Sequence, residues 1–128
     1  RLLQSLNVPL VIDHIGKFLV PPRGTDDPAF QAMRRLLDMG RVWVKLSAPY
    51  ETSRQGAPHY DDVGLLARYL ATHYPERCLW ASNWPHPNQD PVPSNAALLN
   101  LLPAWVACDA DLQRILVDNP AQLYGFDA

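Results

Sequence analysis

The sequence predicts an α/β fold, in which a parallel β-sheet is covered by amphipathic helices. Three short apolar runs, typical of buried strands, begin at Leu10, Val42 and Cys78, and these starts are 32 and 36 positions apart. That spacing leaves room for a loop, a helix and a second loop between successive strands. Because near-continuous apolar strands that alternate with helical segments form parallel sheets, we expect strands over 10–13, 42–46 and 78–81 to lie side by side in chain order.

The first predicted helix covers 27–39. Asp27 is a good N-cap and Pro28 suits the first helical position, while Gly40 provides a left-handed stop. The second covers 61–74, with Asp61 or Asp62 as its cap and Pro75 as its end.

Two further helical segments follow the last strand. One is expected to start at Ser94 and to be broken or kinked near Pro103, because proline removes a helical hydrogen bond. The other opens at Asp109 and runs through Val117.

Length bounds the domain organisation. The chain has 128 residues, about half of the roughly 250 that a (β/α)₈ barrel needs. It starts without Met, and residues 1–6 are typical of the tail of an amphipathic helix. We therefore expect residues 1–128 to be the C-terminal half of a single TIM barrel whose N-terminal half is absent.

Composition excludes two classes of partner. With a formal net charge of −2, the chain is not basic enough to suggest a nucleic-acid partner, and it has no run of about 18 apolar residues to span a membrane. Cys78 and Cys108 lie outside any C-x-x-C spacing, so we expect reduced core residues of a cytoplasmic protein rather than a disulfide or a zinc pair.

Polar side chains follow each predicted strand. Because ligands bind at the carboxyl ends of parallel strands, these residues are the candidates for a site. They are Asp13, His14 and Lys17 after the first strand, Lys45, Ser47 and 50–54 around the end of the second, and Ser82, Asn83 and His86 after the third.

Each candidate also has a purely structural interpretation. Asp13 could orient the His14 imidazole, and Asn83 could cap the following turn. Lys45 interrupts an apolar strand, so its ammonium should reach a carboxylate or a ligand, with an ion pair to an absent barrel half as the alternative. Tyr50 and Arg54 lie in a polar loop that could simply be solvated.

Four segments resemble the amidohydrolase superfamily, in the branch that contains 2-pyrone-4,6-dicarboxylate lactonases. The most specific is LWASNWPHP at 79–87, which resembles the end of the last barrel strand. VIDHIG at 11–16 and WVKLS at 43–47 resemble earlier strands, and DNPAQLYGF at 118–126 resembles the closing segment. The four occur in the family's order, and the resemblance extends over nearly the whole chain.

The resemblance implies hydrolysis of a small acidic ring, such as a lactone. In that group a carboxylate of the last strand takes a proton from water, while histidines and arginines bind the substrate. Some members need no metal, and others hold zinc or manganese through an H-x-H pair on the first strand. Here His14 is one possible ligand, so the expectation is no cofactor or one divalent metal.

Two positions depart from the family pattern. Asn83 stands where the resemblance implies the catalytic Asp, and an amide cannot act as a general base. It could instead hold water or a substrate oxygen. Glu51 stands near the place of a common Arg, for which Arg54 could substitute.

We therefore expect a hydrolase of a small carboxylated lactone or similar acidic ring, with Asn83 and His14 close together as catalytic residues. Lys45, Tyr50, Arg54 and His86 would bind the substrate, with His86 on the rim. The chain would work with an N-terminal barrel half, with homo-oligomers possible. The alternatives are a metal-dependent decarboxylase, a catalytically silent binding protein and a truncated product without function.

Overall fold

The computed structural model describes residues 2–127, apart from the side chain of Gln4. The expected helix at 1–6 is present as one turn, and Arg1 lies outside the described residues. The helices and strands follow one another as α1 (Leu2–Ser5), β1 (Leu10–Ile12), α2 (Pro28–Leu37), β2 (Val42–Leu46), α3 (Asp61–His73), β3 (Cys78–Trp80), α4 (Asn95–Leu99), α5 (Leu102–Trp105), α6 (Asp109–Gln113) and α7 (Asn119–Tyr124).

The three strands form one parallel sheet in the order β1-β2-β3. Leu10 pairs with Val42 at one end of the first ladder, and Leu46 pairs with Trp80 at the far end of the second. The predicted strand order and direction are confirmed. β1 and β3 are each one residue shorter than predicted, because the paired register ends at Ile12 and Trp80.

The two faces of β2 have different surroundings. Val42, Val44 and Leu46 are fully buried in the main hydrophobic cluster with residues of α2 and α3. Since side chains alternate along a strand, Trp43 and Lys45 lie on the opposite face. Helices therefore cover one face of the sheet, and Lys45 points away from them.

α2 begins as predicted and ends two residues early. The Asp27 carboxylate accepts a hydrogen bond from the Ala29 N–H at 2.9 Å, and Pro28 occupies the first turn. At the other end, Met39 N–H and Gly40 N–H bond to carbonyls three residues back, which tightens the chain into a turn. Gly40 then adopts φ +77°, the left-handed conformation that glycine permits.

The predicted cap of α3 is wrong. Tyr60, with φ +50°, precedes the helix, and neither Asp61 nor Asp62 caps it as an N-cap residue. Asp62 instead turns its carboxylate toward the preceding loop, where Ser53 Oγ and the Arg54 N–H donate to it. The carboxylate of Asp62, in the first turn of α3, thus stabilises the preceding loop and does not cap the helix.

The helices after β3 differ in length from the prediction. Ser94 caps α4, and the predicted break occurs, because Pro103 lies in the first turn of the separate helix α5. The last predicted helix continues beyond Val117, through a π-helical turn at Arg114–Asp118 into α7. Within residues 2–127, no helix combines the length and apolar character needed to cross a membrane.

The two cysteines have opposite environments. Cys78 is fully buried, as expected, and burial raises the pKa of its thiol. Cys108 is exposed, so the expectation of a core residue is wrong there. It directly precedes α6, where the chain turns at the surface.

Asn119 ties the C-terminal helices to the sheet. Its side chain is 3% exposed, and its amide nitrogen donates to the carbonyls of Pro75 and Cys78, each at 2.7 Å. Both carbonyls lie where the chain enters β3. The amide therefore satisfies two backbone acceptors that would otherwise lose their partner on folding.

Replacing Asn119 by alanine should lower the free energy of unfolding by about 2–3 kcal/mol, because two backbone carbonyls lose their donor. Gln122→Ala, an exposed position on the same helix, should change it by less than about 0.5 kcal/mol. Chemical denaturation of the purified protein measures both, and equal losses would contradict the role given to Asn119.

Candidate functional site

The carboxyl ends of the three strands meet at one edge of the sheet, called the mouth here. The backbone turns sharply there, with left-handed conformations at His14 (φ +53°), Ala48 (φ +42°), Asn83 (φ +61°) and His86 (φ +61°). Such conformations cost free energy for residues other than glycine, and they cluster at functional sites. The mouth is therefore the candidate site.

One pair of contacts joins the ends of β1 and β2. His14 Nδ1 lies 2.9 Å from Ser47 Oγ, and Lys45 Nζ lies 2.9 Å from Asp13 Oδ1. The Lys45 ammonium thus finds a carboxylate within this chain, on the neighbouring strand's end. Asp13 therefore pairs with Lys45 and does not orient the imidazole of His14. The Ser47 hydroxyl orients it through Nδ1, so His14 Nε2 can contact a ligand.

A second set of hydrogen bonds joins the loops after β2 and β3. The Tyr50 hydroxyl accepts from Asn83 Nδ2 at 2.9 Å and lies 2.9 Å from His86 Nδ1. On the far side of the ring, His86 Nε2 lies 2.7 Å from Asn95 Oδ1. The Tyr50 and His86 rings also meet edge to face, with centroids 5.8 Å apart. One phenol therefore connects both loops.

His86 is not on the rim. Its side chain is 3% exposed, beneath Tyr50 and beside the start of α4. The WPHP segment places an exposed Trp84 outward and folds His86 inward, because the His86 N–H bonds back to the Asn83 carbonyl at 2.8 Å. The rim expectation is therefore wrong.

The phenol of Tyr50 stays protonated over a wide pH range. Burial raises its pKa above the ordinary value of 10.0, the Asn83 amide works in the opposite direction, and the charge of Glu51 raises the pKa again. Glu51 itself pairs with Lys17 across the mouth, at 3.4 Å between Nζ and Oε2. At neutral pH Tyr50 is thus a neutral hydroxyl.

Arg54 lies apart from both sets of contacts. Its side chain is exposed and lines a cavity of about 730 Å³ with Arg23, Asp27 and Asp61, between the start of α2 and the start of α3. This cavity is larger than the space beside Tyr50, yet it does not include the hydrogen-bonded residues at the mouth. A substrate-binding role for Arg54 stays a prediction.

Asp62 holds the loop that carries Tyr50 and Arg54. Burial tends to raise the pKa of this carboxyl, but hydrogen bonds, from Ser53 first and then from the N–H groups of Arg54, Val63 and Gln55, outweigh burial and lower the pKa below 3.8. The charged form is therefore the one that stabilises the loop.

The described residues alone do not build a metal centre. Between residues 2 and 127, no group of three or more His, Cys, Asp or Glu side chains is placed to hold an ion. His14 Nε2 could supply one ligand, and any further ligands would have to come from elsewhere.

The sequence missed one member of the site. Asn95 follows a proline-rich loop, nine positions after His86, and no local pattern marks it. Its only signal is the Ser94 cap, which predicts that Asn95 begins a helix. His14, Lys45, Tyr50 and Asn83 all lie at the predicted edge.

Replacing Asp62 by asparagine should lower the free energy of unfolding by about 1–2 kcal/mol at pH 7, because a charged acceptor of several hydrogen bonds is lost. The stabilisation from Asp62 is present above pH ~4 and is lost as the pH falls through the lowered pKa, so the variant should lose part of the acid dependence of stability. Asp61→Asn, its exposed neighbour, is the control. Urea denaturation from pH 2.5 to 7 compares them, and parallel curves for both variants would refute the assignment.

Solved structures of other proteins share this fold. A protein from Agrobacterium tumefaciens, solved in its apo form, superposes with a TM-score of 0.87 at 38% identity, over 98% of this chain and 44% of the other. A putative 2-pyrone-4,6-dicarboxylic acid hydrolase from Pseudomonas putida superposes with a TM-score of 0.79 at 32% identity, over 98% and 46%. The predicted fold class, part of a larger amidohydrolase-like barrel, is confirmed, while its place as the C-terminal half stays a prediction.

Sequence comparison finds relatives with named activities. The D-galactarolactone isomerase of Agrobacterium fabrum is 39% identical over 95% of this chain, and the 4-sulfomuconolactone hydrolase of Hydrogenophaga intermedia is 38% identical over 96%. The 2-pyrone-4,6-dicarboxylate hydrolase of Comamonas testosteroni is 35% identical over 94%. The chain spans 41–42% of the length of these relatives. The amidohydrolase family profile matches residues 1–126, and the chain belongs to that family.

Proposed function

We propose that this chain forms part of a lactone hydrolase, which transfers the acyl group of a small carboxylated lactone to water. The observation that carries the proposal is the mouth itself, where an imidazole, an ammonium, a phenol and an amide lie at the ends of three neighbouring strands. The similarity to relatives named for lactones and a pyrone supports the same class of substrate.

The two sides of the mouth suit different parts of such a substrate. Lys45 supplies a positive charge that a substrate carboxylate can share with Asp13. His14, fixed by Ser47 through Nδ1, presents Nε2, which in its protonated form polarises a carbonyl oxygen. Asn83 and Tyr50, held together by a hydrogen bond, would direct the attacking water.

We further propose that the chain works with an N-terminal barrel half and is located in the cytoplasm. An N-terminal barrel half would close the sheet beyond β1 and β3 and supply the remaining substrate contacts. Its histidines could complete a metal site with His14, or the enzyme could work without metal. The free thiols of Cys78 and Cys108 suit the reducing cytoplasm.

Lactone isomerisation is the second candidate, because Asn83 lacks the basicity to activate water. In an isomerase the nucleophile is a hydroxyl of the substrate itself, and a tethered nucleophile needs less help from a base. The similarity to D-galactarolactone isomerase favours this alternative. Both reactions begin with attack on a lactone carbonyl.

The distinguishing experiment incubates the full-length protein with a panel of carboxylated lactones in H₂¹⁸O. A hydrolase opens the ring and places ¹⁸O in the new carboxylate, whereas an isomerase yields a second lactone without ¹⁸O; NMR and mass spectrometry separate the products. Tight binding without turnover of any lactone would reject both reactions and leave a binding protein, and release of CO₂ would indicate a decarboxylase.

Replacing Asn83 by aspartate should lower turnover by about tenfold or more, because a carboxylate cannot donate the hydrogen bond that Tyr50 receives and a bond of about 1.4 kcal/mol corresponds to a factor of ten. Asn83→Ala should lower it similarly. The kcat of both variants on the preferred lactone measures this. A rise of roughly 10²- to 10⁴-fold in Asn83→Asp would show instead that the position lacks a general base.

A further inference from the structure

We propose that Tyr50 and His86 form a proton relay, in which Tyr50 exchanges a proton with the reacting oxygen and the buried His86 stores it. The inference rests on the proposed lactone chemistry and adds to it the group that takes the proton of the attacking oxygen. It makes Tyr50 a catalytic residue, whereas His86 acts through Tyr50.

The direction of each hydrogen bond follows from the atoms involved. Asn95 Oδ1 can only accept, so His86 Nε2 donates to it across 2.7 Å. In the neutral ring His86 Nδ1 is then an acceptor, and the Tyr50 hydroxyl donates to it across 2.9 Å. Asn83 Nδ2 can only donate, and it donates to the Tyr50 oxygen. Every contact is consistent with one arrangement of protons.

This arrangement leaves the Tyr50 oxygen able to accept one more hydrogen bond. A phenolic oxygen has two lone pairs, of which Asn83 uses one. Tyr50 is also half-buried rather than enclosed, so part of its side chain remains accessible. His86, by contrast, is 3% exposed and can meet the reacting atoms only through the phenol.

The step balances without a further reagent. As the water or substrate oxygen bonds to the lactone carbonyl carbon, its O–H bond breaks and its proton passes to the Tyr50 oxygen. The original hydroxyl proton of Tyr50 passes to His86 Nδ1, and the carbonyl π electrons move to the carbonyl oxygen. When the carbonyl reforms, the ring C–O bond breaks and its electron pair stays on the ring oxygen. That oxygen takes the hydroxyl proton of Tyr50, and His86 Nδ1 returns its proton to the Tyr50 oxygen.

The raised pKa of Tyr50 explains why a second residue is needed. A phenol that keeps its proton cannot act as a base alone. Imidazole accepts and returns a proton near neutral pH more readily than any other side chain. Its ring is held in one tautomer by Asn95, which begins α4 directly after the Ser94 cap.

Two variants test the relay in the full-length protein. Tyr50→Phe removes the relaying hydroxyl. His86→Asn keeps an acceptor oxygen near the place of Nδ1, so it preserves the position of Tyr50 but cannot store a proton. Both should lower kcat by roughly 10²- to 10⁴-fold with KM changed only a few-fold. Tyr74→Phe is the matched control, since Tyr74 donates to Asp38 on the helical side of the fold, and it should keep the parent kcat.

The outcomes separate the relay from the proposed function. A parent enzyme active on lactones whose His86→Asn variant retains kcat within a few-fold would overturn the relay and leave hydrolysis or isomerisation standing. A parent inactive on every lactone would overturn the proposed function and the relay with it. Because His86 is buried and its variant could unfold, ¹⁵N NMR of histidine-labelled parent protein gives a second readout. We expect the neutral His86 ring to carry its proton on Nε2, and a proton on Nδ1 would overturn the relay.

Discussion

Parallel pairing of β2 with a strand on each side is the constraint from which the arrangement at the mouth follows. Because all three strands run the same way, their carboxyl ends share one edge, and residues that are distant in sequence become neighbours. Burial of Val42, Val44 and Leu46 against the helices fixes which face of β2 is covered. A shift of register by one residue would turn Lys45 into that apolar cluster, where an unpaired ammonium is costly.

Apolar burial also holds the strained turns in place. After β1 the backbone is left-handed at His14 and again at Ile15, with φ of +55°, an unfavourable conformation for a β-branched residue. Strain of this kind costs about 1–3 kcal/mol. The Ile15 side chain is 1% exposed within the main hydrophobic cluster, and burying such a side chain contributes about 1.5–3 kcal/mol. At Ile15 the two effects are of similar size, so packing beneath the turn offsets the backbone strain of that residue.

The sequence predicted the sheet and the edge at which the site lies, because strand periodicity and proline or glycine punctuation are local signals. It failed where a side chain acts across loops. Aspartate is a common helix N-cap residue, yet the Asp62 carboxylate accepts hydrogen bonds from Ser53 and Arg54 in the preceding loop. His86 follows an exposed tryptophan and a proline, and only the backbone turn at Asn83 folds it inward. The direction in which such a side chain turns depends on how the loops pack, and the local sequence pattern does not specify it.

The single proton of the Tyr50 hydroxyl determines which of its neighbours can accept a hydrogen bond and which must donate one. A hydroxyl donates one hydrogen bond, so its two neighbours cannot both be acceptors. With His86 Nδ1 as the acceptor, the other neighbour has to donate, and an amide at Asn83 does so where a carboxylate could not. A carboxylate would compete with His86 for the same proton and would add a charge beside an acidic substrate. The amide of Asn83 and the imidazole of His86 are therefore a matched donor and acceptor around one phenol.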